Sequence, residues 1–464
     1  MQVNLEIKFG TDGWRGIISD NFTFANVRRV AKAIADYYNR KGKGGKVKMA
    51  VGYDTRFLSA EYASLVSKIL ADNGIDVTLS DRAIPTPALS FTVAKRKLTS
   101  GVMITASHNP AEYNGIKIKT TSGGAAGVEV TDEVEKLLRK PLACYKDKAR
   151  SLVKKADLTR DYIRFLRGYI DLKKLKHAKF KVLVDAMHGS GNGFIAEVLA
   201  GTGIKLEFLR SDINPSFDGL RPEPVLENLA PTIERMKKES FDLGLVLDGD
   251  ADRIAAFAGR GEFIPPQKIL GLLALHLFQD RKMKGGVVKT VVGTNMMDNI
   301  SSGLGLKLYE TPVGFKYISN LMDTKDILVG GEEAGGMGFK GYIPERDGTL
   351  AGVLLLEMMA YRAKPMIKIL SEMEGKFGRY YYLREDLKIP NLKINLDNFR
   401  KIKNILDKPV VEIKDYDGLK LICSDGSWLM FRGSGTEPIM RVYAESKSLN
   451  KTKKILAFGR RRIL

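Results

Sequence analysis

The stretch Phe241-Asp-Leu-Gly-Leu-Val-Leu-Asp-Gly-Asp-Ala-Asp-Arg253 runs from an apolar, strand-like segment straight into a loop carrying three carboxylates. Segments of this kind recur along the chain with helical patterning between them. Amphipathic helical spacing over residues 27–39 and 61–73 alternates with short β-branched runs at 48–52 and 102–105. That alternation predicts α/β layers. The pattern restarts at 180–185 and 241–247, and again at 286–292 and 326–330, giving three α/β blocks of about a hundred residues, a normal domain size. The remainder reads differently: strands at 378–387, 419–423 and 427–431 around a helix at 396–406 predict a smaller α+β domain.

Composition narrows the function classes. At 464 residues and 44% hydrophobic the chain can bury several cores. Its longest apolar stretch, 269–278, falls short of the roughly 20 residues a bilayer span needs. The N-terminus lacks the basic start, apolar core and cleavage site of a secretory signal, so a cytoplasmic protein with no membrane partner is expected. Cys144 and Cys423 stand far apart with no second cysteine or histidine near either, which argues against a disulfide framework or a zinc site. The net charge of +21 fits nucleic acid or anionic substrates. No zinc-finger spacing, basic zipper or RNP-type aromatic motif accompanies it, and lysine clusters at 173–176 and 451–454 read as solvated helix faces. Nucleic acid is therefore not expected as a partner.

Four loops, each after a strand-like run, carry chemistry, at the strand ends where α/β sheets present ligand-binding residues. In Thr105-Ala-Ser107-His108-Asn-Pro110 a serine emerges beside a histidine. Taken alone it reads either as a nucleophile, which needs a base or metal to activate it, or as a turn with a helix cap. Asp248, Asp250 and Asp252 are spaced to converge on one hard cation; without a cation, three such charges would oppose one another's ionisation. The alternative is a solvated acidic turn. Gly330-Gly-Glu332-Glu-Ala334-Gly-Gly336 sets two acids among glycines. That suits acceptance from sugar hydroxyls and equally suits a connecting turn. Arg432-Gly-Ser434-Gly435-Thr436-Glu-Pro438, followed by Arg441, offers backbone donors, hydroxyls and guanidinium, the chemistry of a phosphate cradle. No P-loop or kinase motif set is present. A serine, a cation site and a phosphate cradle without a nucleotide site point to a phosphoenzyme.

Together and in this order the loops resemble the signatures of the α-D-phosphohexomutase superfamily, and the resemblance spans essentially the whole chain. Phe9-Gly-Thr-Asp-Gly-Trp-Arg15-Gly, Asn114-Gly-Ile-Lys117, Thr311-Pro-Val-Gly-Phe-Lys316 and Ile343-Pro-Glu-Arg-Asp-Gly348 match further family stretches. The resemblance implies three related α/β domains and a smaller C-terminal α+β domain around a central cleft, with divisions at 1–150, 151–255, 256–372 and 373–464. It implies that Ser107 carries the phosphoryl group and that Mg²⁺ is held by Asp248, Asp250, Asp252 and an oxygen on Ser107. Arg15 and Arg253 would stabilise charge, and His108 and Lys117 are the acid/base candidates. Glu332, Ala334 and Lys316 would line the sugar site. Arg432, Ser434, Gly435, Thr436 and Arg441 would hold the non-reacting phosphate. The reaction implied interconverts hexose 1- and 6-phosphates through a bound hexose 1,6-bisphosphate, in a monomer or homodimer. Ala334 stands where the family commonly has serine, and Gly336 where several branches have histidine. The Gly-Glu-Glu-x-Gly-Gly form ranks glucose first and mannose second, with a phosphoglucosamine mutase as the alternative. From another class, a non-catalytic sugar-phosphate or nucleic-acid binding protein would explain the charge but not the coexistence of the loops.

Overall fold

A computed structural model describes residues 7–10, 12–42, 46–139, 153–389, 396–433 and 439–463. The first sheet contains β1 (Trp14–Ile17), β2 (Lys48–Tyr53), β3 (Asp76–Ser80), β4 (Ser100–Ile104), β5 (Tyr113–Lys119) and β6 (Lys154–Ala156), in the order β1-β5-β4-β2-β3-β6. The second contains β7 (Lys181–Asp185), β8 (Lys205–Leu209), β9 (Leu243–Leu247), β10 (Ile254–Ala258) and β11 (Glu262–Ile264), in the order β11-β10-β9-β7-β8. The third contains β12 (Gly286–Thr290), β13 (Leu308–Thr311), β14 (Ile327–Gly331) and β15 (Met337–Phe339), in the order β13-β12-β14-β15.

The three sheets share one construction. Parallel strands form the centre, and the last of them, β4, β9 or β14, turns back into an antiparallel neighbour, β5, β10 or β15. Each central strand is buried along its whole length, as sheets covered by helices on both faces require. The turn between such a pair must therefore emerge at the sheet's end, and it carries Ser107 in the first domain, the three aspartates in the second and Glu332 in the third.

The fourth sheet is antiparallel: β16 (Tyr381–Lys388), β17 (Asn404–Ile405), β18 (Lys408–Lys414), β19 (Leu419–Cys423), β20 (Trp428–Gly433) and β21 (Ile439–Ser446), in the order β16-β21-β20-β19-β18-β17. One face packs on the helix Leu449–Ile463 through Leu429, Val442 and Ile455. The other meets the third domain, where Trp428, Met430 and Tyr443 bury Val291 and Val292.

The second and third domains share a core. The helix Gly348–Arg362 is buried almost all round and packs against both, with Leu350, Leu354 and Met358 in one cluster with Leu245, Leu247 and Ile254. Such a helix has no solvent face to give it an amphipathic stripe. Asp347 caps its start, accepting from the Leu350 amide at 2.8 Å.

Two expectations need correction. The helix expected over 396–406 is one turn, Asp397–Arg400, followed by strand β17; Phe399 and Ile405 both enter the core of the fourth domain, one from a helical turn and one from a strand. The expected break at 150/151 lies outside the described residues, and those at 255/256 and 372/373 fall inside a strand and a helix. β6 still pairs with β3 of the first sheet, β10 and β11 close the second, and the break at 372/373 lies within the helix Met366–Phe377. Short charged edge strands such as Lys154–Ala156 lack the apolar pattern that identifies a buried strand. Among the described residues no helix is long and apolar enough to cross a membrane. Cys423 is buried and unpaired, and Cys144 lies outside the described residues.

Candidate active site

Ser107 lies in the turn between β4 and β5, buried, with φ of 55°. A non-glycine residue in the left-handed region costs energy that the surroundings must supply. Here they do so through Arg56, at the end of β2. Its guanidinium donates to the carbonyls of Ser107 and Asn109 at 2.6 Å, of Pro110 at 2.8 Å and of Tyr113 at 3.0 Å. Asp54 pairs with Arg56 Nε at 3.3 Å. The planar fork of arginine, with five donors, suits this task as no other side chain does.

The aspartate loop reaches this turn directly. Ser107 Oγ donates to Asp248 Oδ2 at 3.2 Å, and one ligand atom from each of Asp248, Asp250 and Asp252 lies within 4.8 Å of the others. Gly249 permits the approach, since a Cβ there would stand 2.5 Å from the Ser107 carbonyl oxygen. All three aspartates are fully buried, and Asp250 Oδ1 and Asp252 Oδ1 have no hydrogen-bond donor among the described residues. Burial, then the charges of Asp252 and Asp250, hold the Asp248 carboxyl well above its ordinary range. Orphaned carboxylate oxygens in a crowded all-oxygen cluster are what a hard divalent cation satisfies, so the residues fit Mg²⁺.

Lys117, on β5, spans the domain boundary, with Nζ 2.8 Å from Asp250, 3.1 Å from Asp252 and 3.0 Å from Asp12. Burial works against its charge, but these three carboxylates outweigh burial and keep it protonated. Thr86 donates to Asp250 Oδ2 at 2.5 Å. His108 Nδ1 is 3.4 Å from Ser107 Oγ; burial, then Arg253 and Arg15, push its pKa well below the ordinary value. Arg15 donates to Asn109 at 2.5 Å, and Arg253 Nε stands 3.8 Å from Asp252 and 4.0 Å from Asp248.

Glu332 follows β14 and is buried; its Oε2 accepts from Arg346 at 3.3 Å. Burial raises its carboxyl pKa despite Arg346. Ala334 is half-buried in the same turn, and Lys316 extends its ammonium over the Tyr317 ring at 5.0 Å. Arg432 and Arg441 are direct partners across β20 and β21. Like charges facing one another in a sheet are unfavourable unless an anion sits between or beside them. Asp417 holds Arg432 at 2.9 Å and Asp386 lies 3.7 Å from Arg441. Ser434, Gly435 and Thr436 lie outside the described residues.

Arg56, Thr86, Asp12 and Arg346 are contacts the sequence reading missed. Asp12 and Arg346 lie in family-matching stretches that gave them no role, and Arg56 had a signal of its own: Tyr53-Asp-Thr-Arg56 closes an apolar strand, as the other four loops do.

A four-domain α/β assembly whose sheet-end turns bring a strained serine, three clustered aspartates and a buried glutamate side by side defines the α-D-phosphohexomutase class. Family models agree: phosphoglucomutase/phosphomannomutase α/β/α domain I matches residues 6–143, domain II 160–261 and domain III 265–377. A phosphoglucomutase/phosphomannomutase of Thermococcus kodakarensis is 30% identical over 97% of this chain and 97% of its own length. A phosphoglucosamine/phosphogalactosamine mutase of Sulfurisphaera tokodaii is 30% identical over 95% and 96%. A crystal structure from Thermus thermophilus, provisionally named a phosphomannomutase, superposes with TM-score 0.88 at 33% identity, covering 99% of both chains. The chain belongs to the phosphoglucomutase/phosphomannomutase family, and is a phosphotransferase of the mutase type.

Proposed function

We propose that this chain is a Mg²⁺-dependent phosphohexomutase that interconverts hexose 1-phosphate and hexose 6-phosphate, glucose before mannose, through phospho-Ser107 and a bound 1,6-bisphosphate. The observation that carries this reading is the 3.2 Å contact of Ser107 Oγ with Asp248 inside a buried aspartate cluster. Asp248, Asp250, Asp252 and an oxygen on Ser107 would hold the cation, which when bound would neutralise charge on the transferring phosphoryl group.

The protein's own groups do the rest. In one half-reaction the P–O bond to Ser107 Oγ breaks as a new P–O bond forms to the sugar O1 or O6, and Ser107 regains a proton equal to the one the sugar hydroxyl gives up. His108 Nδ1, 3.4 Å from Ser107 Oγ, is the nearer acid/base candidate for that proton. Lys117 is better suited to hold charge than to move protons, because three carboxylates already surround its ammonium. Arg15 and Arg253 line the approach. Arg432, Arg441 and the 434–436 segment would hold the non-reacting phosphate in either orientation of the bisphosphate, and Glu332 would read sugar hydroxyls. Arg15, Arg253, Arg432 and Arg441 would also favour retention of the bisphosphate, whose escape would leave Ser107 unphosphorylated.

The test is a mutase assay with Mg²⁺ and trace hexose 1,6-bisphosphate, offering glucose, mannose and glucosamine phosphates to wild type and Ser107→Ala. Wild type should isomerise at least one sugar, glucose fastest, and Ser107→Ala none above background. Isomerisation that survives in Ser107→Ala refutes the phosphoserine mechanism. A phosphoglucosamine mutase is the second reading, favoured by the Sulfurisphaera relative at the same identity, and fastest turnover of glucosamine phosphate selects it.

A further inference from the structure

Arg346 belongs to none of the four loops, yet it touches three carboxylates that line the cleft. Its Nη2 lies 2.5 Å from Asp12 and 2.7 Å from Asp252, and its Nη1 lies 3.3 Å from Glu332. The guanidinium is 5.5 Å from the centre of the Phe315 ring, and the side chain is 6% exposed. Arg346 therefore joins the N-terminal segment, the aspartate loop and the glutamate loop through one rigid plane.

Gly336 explains how the arginine gets there. A Cβ at this position would stand 2.2 Å from Arg346 Cδ and 2.8 Å from Cγ. The contact is with the stem of the side chain, near its fixed end, so the arginine cannot swing aside cheaply. The space in which a side chain at 336 would lie, histidine in several branches the sequence resembles, is filled here by Arg346. The glutamate loop is also docked on the aspartate loop by its backbone: Ile254 N donates to Gly335 O at 3.1 Å and Arg253 bridges Gly336. With the backbone fixed on both sides, the orientation of the Glu332 carboxylate depends on its one side-chain partner. Arg346 takes Oε2, and no donor among the described residues takes Oε1.

We propose that Arg346 is the positioning residue of the sugar site: it turns Glu332 so that Oε1 meets a ring hydroxyl of the hexose, and Gly336 is the residue that admits it. The inference rests on the reading of Glu332 as the sugar-binding carboxylate. Arg346 acts through Glu332, and its removal weakens hexose binding through that carboxylate, not only through how well the protein folds. Lysine cannot replace it, because a single ammonium cannot span Asp252 and Glu332 as the planar fork does.

The experiment measures binding of glucose 6-phosphate and mannose 6-phosphate by calorimetry to Ser107→Ala protein in EDTA, so that neither turnover nor metal contributes. Arg346→Lys, Gly336→Ala and their double variant are compared in that background, with Glu332→Gln as reference. Arg346→Lys and Gly336→Ala should each weaken glucose 6-phosphate about tenfold, the range of a lost hydrogen bond to a charged group. Combined with Glu332→Gln, neither should add a further loss, whichever ring hydroxyl the carboxylate meets. The double variant should be no worse than the single ones, since both disturb the same contact. Unchanged glucose 6-phosphate affinity in both single variants, or losses that add to each other or to that of Glu332→Gln, overturns the inference while Glu332→Gln still reads out the glutamate. If Glu332→Gln leaves both affinities unaltered, the sugar-site reading of Glu332 fails instead. Gly336→Ala carries the test if Arg346→Lys does not fold.

Discussion

Ser107 and the three aspartates are picked out as candidates from single stretches, because their chemistry is local in sequence: a hydroxyl or carboxylates in a turn after an apolar strand; their roles come only from the loops taken together. Arg56, Asp12 and Arg346 are not, because each works on atoms far along the chain; Arg346 and Asp12 stand 334 residues apart. Asp347 belongs to a matched motif that assigns it no role, and the structure supplies one. Burial pushes its carboxyl up to about 7, against hydrogen bonds from the Leu350 amide and from Tyr162 Oη at 2.9 Å. In the unfolded chain the same group titrates near its ordinary ~4, so between those values the folded state holds the extra proton. Stability from this residue is complete at the acid end and is lost as pH rises through about 7. Asp347→Asn keeps an oxygen for the cap and removes the titration. The variant should melt close to wild type at pH 5 and above it at pH 8, measured as Tm across that range. A Tm difference that does not change with pH sinks the assignment.

At the scale of elements, the device used four times is a strand that ends at candidate site residues and is followed by an antiparallel neighbour: β4 by β5, β9 by β10, β14 by β15 and β20 by β21. The outgoing strands carry the signal, and the sequence reading finds all of them. Edge strands and the 396–406 segment are lost because their partners supply the burial and their own pattern does not. Asp417 shows how such elements are aligned between domains. It precedes β19, accepts from the Val313 amide of the third domain at 2.6 Å and holds Arg432 Nε at 2.9 Å. Asp417→Asn removes the charge that orients Arg432 and leaves one acceptor for two donors. If Arg432 holds the non-reacting phosphate, KM for hexose phosphate should rise about tenfold with a smaller fall in kcat, read from steady-state kinetics. A fall in kcat at constant KM would mean that Asp417 serves the chemistry and not phosphate binding.

For the whole molecule, the cleft is the place where folding and function oppose each other. The chain carries +21 net charge, yet it buries three aspartates together at the junction of its first two domains and leaves two of their oxygens without donors among the described residues. Lys117 and Arg346 offset part of this, and Asp248, held well above its ordinary pKa by burial and its two neighbours, shows that the compensation is incomplete. A cation that binds only the folded state stabilises it by mass action, by about 2.7 kcal/mol at a hundred times its dissociation constant. Wild type should therefore melt several degrees higher in millimolar Mg²⁺ than in EDTA. Asp248→Asn should behave in the opposite sense. It removes one of three crowded carboxylates, so in EDTA its Tm should equal or exceed that of wild type, while the gain with Mg²⁺ should vanish together with mutase activity. A Mg²⁺ shift in Asp248→Asn as large as in wild type would place the cation elsewhere. An Asp248→Asn protein less stable than wild type in EDTA would show that the carboxylate is needed for the fold itself, through its acceptance from Ser107 Oγ and the Arg253 amide.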